Sequence, residues 1–434
     1  MRLAYSKHTL ANGLDVILHE DRACPIVAVN LWYHVGSKNE TPGHTGFAHL
    51  FEHLMFEGSQ HYDRGYFQPL QGAGATLNGS TNADRTNYWE VVPSNALELA
   101  LWMESDRMGY LLPALTDAKF SNQRDVVLNE RRQNYENRPY GLASMALLAA
   151  LFPPDHPYHW ATIGEIADLN AAQLDDVQAF FRRYYHPSNA SIALAGDFDE
   201  DEALALVDRY FGGIEPGPRA DRVSASASLA SNVKIYLEDR VELPRLYLAW
   251  LTPAMFADGD ADLDLATDLL ANGKTSRLYK RLVFDERIAT DVSASQNSRE
   301  IDAFAQLTAT AAPGHTLAEL ERAILEEIAR VADAGPTDAE IDRGRVQAEA
   351  QFVFRLQTVG GFGGKSDQLN AYNVFLGDPA YFDRDLERYH AVTSSSLRQA
   401  VGRFLDPDRR VTLSIVPPGR LDLAVPDSTR AVVQ

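Results

Sequence analysis

The sequence predicts an α+β fold of two homologous mixed α/β domains, each a largely antiparallel sheet packed with helices. Three observations carry this expectation. Strand-like alternation opens the chain, helical spacing of apolar residues follows, and past residue 232 the same order of elements starts again.

In chain order, ANGLDVILHED carries an Asn12-Gly13 turn followed by alternating residues, and PIVAVNLWYHVGS is a β-rich run closed by Gly36-Ser37. Residues 46–57, 95–110 and 117–137 place apolar side chains every three or four positions, and the last pattern stops before Pro139. ASIALAGDFD, over 190–199, reads as another strand. Residues 212–232 are rich in Gly, Pro, Ala and Ser and almost lack large apolar side chains, which is the composition of a linker. Beyond it, LEDRVELPRLYLAWL (237–251) echoes HEDRACPIVAVNLWY (19–33), with Glu-Asp-Arg, then Pro, then an apolar strand in each. The expected partition is a first domain over 1–214, a linker over 215–232 and a homologous second domain over 233–434.

Composition narrows the chemistry. With 434 residues, 45% hydrophobic and 23% charged, the chain has the balance of an ordinary folded protein. Its net charge of −20 disfavours nucleic acid and anionic lipid as partners, because both require a basic face. A single cysteine, Cys24, excludes an internal disulfide and a cysteine-based zinc cage, so any metal must be held by His and carboxylate. No apolar run reaches the roughly 18 to 20 residues that span a bilayer, and MRLAYSKHTLANGLDVILHED has no apolar leader with a cleavage site. The cytoplasm is therefore the expected compartment, with the periplasm as the alternative if a leader has been removed.

The most informative stretch is GHTGFAHLFEHLMFEGS, residues 43–59. A helix capped by Thr45 and ended by Gly58 puts His49 and His53, four apart, one above the other on one face, with Glu52 beside them. Phe47, Leu50, Phe51, Leu54 and Met55 cover the rest, so three polar groups line one edge of a buried helix. Two imidazoles and a carboxylate suit zinc and leave one position for water. The metal lowers the pKa of that water, and a non-ligating carboxylate takes its proton, a role for which Glu52 is placed. The candidate third ligand is Glu130 in DVVLNERRQNYENRPYG, with Val126 and Val127 as its anchors one turn earlier. With 12 His in the chain, about 0.02 chance occurrences of His-x-x-Glu-His are expected. The competing reading of the three residues is a metal-free hydrogen-bonded cluster, and of Glu130 a surface glutamate among Arg131 and Arg132.

His49-x-x-Glu52-His53 is the inverted form of the zincin motif. With Gly36-Ser37 and Glu40 before it and His53-Leu54-Met55-Phe56-Glu57-Gly58-Ser59 continuing it, the chain resembles the pitrilysin/insulinase-type zinc metallopeptidases, which include the mitochondrial processing peptidases. The resemblance implies one Zn2+ per chain held by His49, His53 and Glu130, which lies 77 positions after His53, with Glu52 as general base. Asn78-Gly79-Ser80-Thr81, followed by Asp84-x-Thr86-x-Tyr88, resembles the edge strand on which a peptide substrate adds as an extra strand.

Two departures from that pattern matter. Gln123 stands where the family often has a Glu supporting the metal ligands from behind. Val283 and Thr290 stand where active members carry an Arg and a Tyr that grip the substrate, unless a shifted register brings Arg281 or Arg287 into the role. The resemblance therefore implies a zinc endopeptidase acting on extended or unfolded peptides inside a dimer chamber. The chain would be the zinc-bearing subunit of a bacterial heterodimer whose homologous partner supplies the Arg/Tyr pair. The alternative is a catalytically silent peptide-binding or assembly subunit; a zinc hydrolase acting on non-peptide substrates suits the site chemistry but not the edge-strand motif.

Other motifs carry less. Val359-Gly360-Gly361-Phe362-Gly363-Gly364-Lys365-Ser366 lacks the first glycine of a P-loop and reads as a glycine-rich turn. No Gly-x-Ser-x-Gly elbow occurs, and His34, His44 and His61 read as hydrogen-bonding or surface residues.

Overall fold

The computed structural model describes residues 3–218 and 220–433. The strands form two six-stranded sheets. The first contains β1 (Ser6–Thr9), β2 (Asp15–Glu20), β3 (Ile26–Tyr33), β4 (Thr76–Thr81), β5 (Thr86–Pro93) and β6 (Ala190–Gly196). The second contains β7 (Val233–Glu238), β8 (Arg245–Thr252), β9 (Ala289–Asn297), β10 (Ala303–Ala311), β11 (Val411–Val416) and β12 (Thr429–Arg430).

Their topologies repeat. The first sheet runs β1-β2-β6-β3-β5-β4 and the second β12-β7-β11-β8-β10-β9. In each, the first and last strands of the repeated five pair in parallel (β2 with β6, β7 with β11), and the other pairs within the five are antiparallel. The echoed segments 19–33 and 237–251 fall at the same place in both, from the end of the first repeated strand through the second. The fold is thus the expected pair of related, largely antiparallel sheets packed with helices.

The compact units are interleaved along the chain. One comprises residues 1–129, 162–223 and 351–384, the other 130–161, 224–350 and 385–434. Relative to contiguous stretches 1–214 and 233–434, the units exchange two segments. For 351–384 the reason is polar. The Asp367 carboxylate, on the helix Lys365–Leu376, accepts the Trp32 indole N–H at 2.8 Å, the Asn87 amide at 3.0 Å and the Gly363 N–H at 2.8 Å. Asn370 on the same helix donates to the Asn30 carbonyl at 2.7 Å. Leaving these groups unpaired beneath a helix would cost about 1–3 kcal/mol each, so the polar face of the sheet specifies its cover. The glycine-rich stretch is the turn leading into this helix.

β6 is buried along its whole length and β3 at all but its first residue, which explains their continuous apolar composition. β4 pairs only with β5 and is an edge of the first sheet. No helix of the described residues is long and apolar enough to cross a membrane.

Candidate metal centre

The motif helix spans Phe47–Leu54. Its buried face is Phe47, Ala48, Leu50, Phe51 and Leu54, while His49, Glu52 and His53 are the half-buried row. Phe51 anchors it, stacking on Phe180 at 5.9 Å and leaning on Tyr185 at 5.0 Å between ring centroids. The two imidazoles meet edge to face, 4.9 Å between centroids.

The helix start differs from the expected Thr45 cap. Gly46 is the N-cap residue, at φ +88°, a conformation that favours glycine. The orphan N–H groups go to Glu40, whose carboxylate accepts from Gly46 at 2.9 Å and Ala48 at 2.8 Å. Thr45 instead gives its N–H and hydroxyl to Asp168, at 3.1 and 2.7 Å. A buried anion thus sits at the positive end of the helix dipole.

Glu130 lies near the end of the helix Asp117–Arg131, which runs unbroken through residue 129, where one compact unit gives way to the other. Val127 and Leu128 are buried and anchor it; Val126, expected as a second anchor, is 38% exposed because it points off the apolar face. One ligand atom each from His49, His53 and Glu130 lies within 4.8 Å of the others, and all three residues are half-buried. Ligands about 2.0–2.1 Å from a shared tetrahedral ion sit roughly 3.3 Å apart, so the trio fits a zinc with small side-chain adjustment. The Asn134 amide donates to Glu130 at 3.2 Å, fixing the carboxylate from outside.

Glu52 contributes to the field on Arg85, Tyr88 and Tyr185. Burial pulls the Arg85 guanidinium down and raises both phenols. Arg85 falls at the unspecified position of Asp84-x-Thr86, so no motif marks it in the sequence. It donates to the Ser80 carbonyl at 2.9 Å and hydroxyl at 2.7 Å, stiffening the edge strand. On that strand Ser80 also donates to Asn87 at 2.6 Å, and the Asn78 side chain accepts the Gly79 N–H at 2.8 Å. Gly79 faces Tyr88; a Cβ there would lie 3.0 Å from its ring and 3.2 Å from that of Phe56.

Residues 15–156 match the insulinase family of M16 peptidases, and residues 171–347 match the domain described as the Peptidase M16 inactive domain. The chain belongs to peptidase family M16. This M16 chain is 28% identical over 359 residues to the zinc protease PqqE of Helicobacter pylori, covering 81% of this chain and 80% of that protein. It is 26% identical to an uncharacterized zinc protease of Mycobacterium tuberculosis, covering 99% and 97%. It is also 23% identical to a probable mitochondrial-processing peptidase subunit beta of Arabidopsis thaliana, covering 94% and 78%. A protease structure from Helicobacter pylori shares its fold at a TM-score of 0.87, with 24% identity over 96% of this chain and 100% of that one. A peptidase M16 inactive domain structure from Pseudomonas fluorescens does so at 0.85, with 20% identity over 96% and 98%.

Elsewhere in the M16 chain, Gln123 hydrogen-bonds the Glu57 carboxylate through its amide nitrogen. Val283 is half-buried in the irregular helix Tyr279–Asp285. Thr290, on β9, donates to Asp291 at 3.1 Å and to the Thr310 carbonyl at 3.4 Å. Arg281 is committed to Glu286 at 2.7 Å and Glu326 at 2.6 Å, while Arg287 is exposed at φ +56°.

Proposed function

We propose that this chain is a zinc-dependent endopeptidase subunit that hydrolyses extended or unfolded peptides. The observation that carries this reading is the convergence of His49, His53 and Glu130 around one point, with Glu52 on the same helix edge. One zinc per chain, held by the three, would supply Lewis acidity toward water and the scissile carbonyl. Glu52 accepts the proton of the attacking water on a carboxylate oxygen, then delivers it to the departing amide nitrogen. That carboxylate is half-buried and lies within the field of the Arg85 guanidinium. The peptide adds antiparallel or parallel to β4, whose outer edge is unpaired by other strands of the sheet, so affinity comes mainly from its backbone. Asn78, Gly79, Ser80 and Thr81 line that edge.

A homologous partner supplies the Arg and Tyr that Val283 and Thr290 replace, closing a dimer chamber. The second reading, a silent peptide-binding subunit, draws on that same replacement, since neither side chain offers a charge-assisted hydrogen bond. Turnover of quenched fluorescent peptides, with zinc measured on the same sample, separates them. Chelator-sensitive cleavage abolished by Glu52→Gln, alone or with a homologous partner, supports the peptidase. Full zinc occupancy with no cleavage in either setting overturns it.

A further inference from the structure

A second polar site lies where Glu130's helix runs out. Residues 134–147 and the strands β8 and β10 line an open cavity of about 590 Å³ whose walls include Asn134, Arg138, Tyr140, Arg245, Tyr247 and Gln306. Among the described residues no acidic side chain lines it, although the protein as a whole carries −20. Asn134, on its rim, is the residue that hydrogen-bonds Glu130. Thr310, which accepts Nε–H of Arg245 at 2.8 Å, also accepts Thr290 on its carbonyl at 3.4 Å. The cavity is thus linked by hydrogen bonds to Glu130 through Asn134, and to Thr290 through Arg245 and Thr310.

Its construction points to an anion. The Arg245 guanidinium lies 3.7 Å from the centroid of the Tyr140 ring, stacked and tethered by Thr310, and forms no ion pair with any described carboxylate. Arg138 likewise forms no ion pair among the described residues. Of the acids whose charge reaches Tyr140, Asp239 accepts the backbone N–H of Tyr140 at 2.6 Å and of Arg240 at 2.7 Å, Asp291 accepts Thr290, and the exposed Glu242 forms no ion pair with Arg245. Tyr140 itself stands at φ +61°, a conformation that costs a non-glycine residue about 1–2 kcal/mol. The Asp239 carboxylate and the bond from the Tyr140 hydroxyl to the Leu243 carbonyl, 2.8 Å, hold it there, presenting the ring under Arg245. Backbone strain maintained to seat an unpaired arginine is a mark of a binding site.

We propose that this cavity binds a carboxylate of the peptide substrate, gripped by Arg245 and Arg138 with Tyr140 and Tyr247 as its walls. The inference rests on the peptidase reading and adds to it a preference for acidic or C-terminal carboxylate-bearing peptides. A planar guanidinium fixed at Nε offers its remaining N–H edge to both oxygens of such a group.

The test is binding of labelled peptides, read by fluorescence anisotropy, to the zinc-loaded full chain carrying Glu52→Gln so that nothing is cleaved. Three matched peptides are compared: one with an internal Glu and a free C-terminus, one with Gln for that Glu, and one with an amidated C-terminus. Loss of the recognised carboxylate is expected to weaken binding about 10- to 100-fold. A loss on Glu-to-Gln exchange assigns the site to an acidic side chain; a loss on amidation assigns it to the terminal carboxylate. Arg245→Lys, and Arg138→Gln on an exposed side chain that the fold does not need, are each expected to shrink the difference while leaving the melting temperature within a few degrees. Equal binding of all three peptides, or a preference that survives both substitutions, overturns the inference and leaves the peptidase reading intact. Failure of every peptide to bind, both to the chain alone and in the presence of a homologous partner, overturns both.

Discussion

Replacing Glu40 by Gln keeps the size of the side chain but removes the anion that closes the N-terminus of the His49 helix. The carboxylate is only 6% exposed and accepts two N–H groups, at 2.9 and 2.8 Å. A glutamine has a single acceptor oxygen, so one N–H either loses its partner or faces an amide nitrogen. A hydrogen bond to a charged group is worth about 1.5–3 kcal/mol, and the buried dipole interaction adds up to about 2 kcal/mol. The second bond survives in weaker, neutral form, so the expected loss is about 2–4 kcal/mol. The helix is eight residues long, below the length at which helices hold themselves together, so the loss falls on the segment carrying two candidate metal ligands. Urea unfolding of the apo chain, followed by tryptophan fluorescence, measures the stability, and competition with a chromogenic chelator measures zinc affinity. Glu40→Gln is expected to lower the unfolding midpoint and weaken zinc about tenfold. An unchanged midpoint together with unchanged zinc affinity would refute the assignment of Glu40 as the cap.

Glu130→Gln should weaken zinc by more than about 100-fold, beyond the effect usual for groups behind the ligands, while apo stability changes little because the side chain is half-buried. Zinc titration and apo melting check this pair. Gly79→Ala pushes a methyl to 3.0 Å from Tyr88 and 3.2 Å from Phe56; it should cost about 1–3 kcal/mol in denaturant melts and lower peptide kcat/KM through the displaced edge strand. Asp264, on the helix Asp260–Ala271 in the other unit, is pushed up to about 7 by burial and by the charges of Asp260 and Asp268, against the Tyr389 hydroxyl it accepts. A folded-state pKa above the unfolded value near 3.8 means stability present at low pH and lost as pH rises towards 7. Partial solvent access reduces the cost, and Asp264→Asn should cancel about 2 kcal/mol of the fall in stability between pH 5 and 8, read from unfolding midpoints across that range.

The candidate site is legible in the sequence where its geometry is local. His49, Glu52 and His53 share a face because three- and four-residue spacings recur on any helix, and the apolar residues around them show which face is buried. Glu130 was legible through the resemblance, and the structure places it beside them. What was not legible depends on partners far along the chain. Thr45 has the residue type of a cap, yet Asp168 takes its hydroxyl and N–H while Glu40, from the preceding loop, takes the helix N–H groups. Val126 and Val127 look alike in sequence, and only the phase of the helix against its support decides that Val127 is buried. The transfer of 351–384 into the first unit rests on Asp367 and Asn370 meeting Trp32, Asn87 and Asn30 across the sheet, an interaction that no local pattern encodes. Arg245 and Arg138 carry no motif at all, and their shared cavity exists only once β8 and the segment after Glu130 are folded together.

The duplication itself explains why the second unit carries no counterpart of the His49/Glu52/His53 row among its described residues. The helix Asp260–Ala271 follows β8 as the His49 helix follows β3, and both start from a glycine N-cap in the left-handed region, Gly46 at φ +88° and Gly259 at φ +95°. Setting the two glycines together equates Ala48 with Ala261 and Leu50 with Leu263, all buried, so the packing requirements of the helix are kept. The same register places Asp262 at the position of His49, Leu265 at that of Glu52 and Ala266 at that of His53. Asp262 is engaged by the Ser396 hydroxyl at 2.6 Å, and Leu265 and Ala266 are buried in the core of the second unit. The edge that would hold a metal has been turned into packing surface, while the glycine turn and the strand order around it persist. Folding depends on the buried alanine and leucine positions, and these are common to both helices; the candidate metal site needs His49, Glu52 and His53, which only the first helix provides, together with Glu130 from the helix Asp117–Arg131.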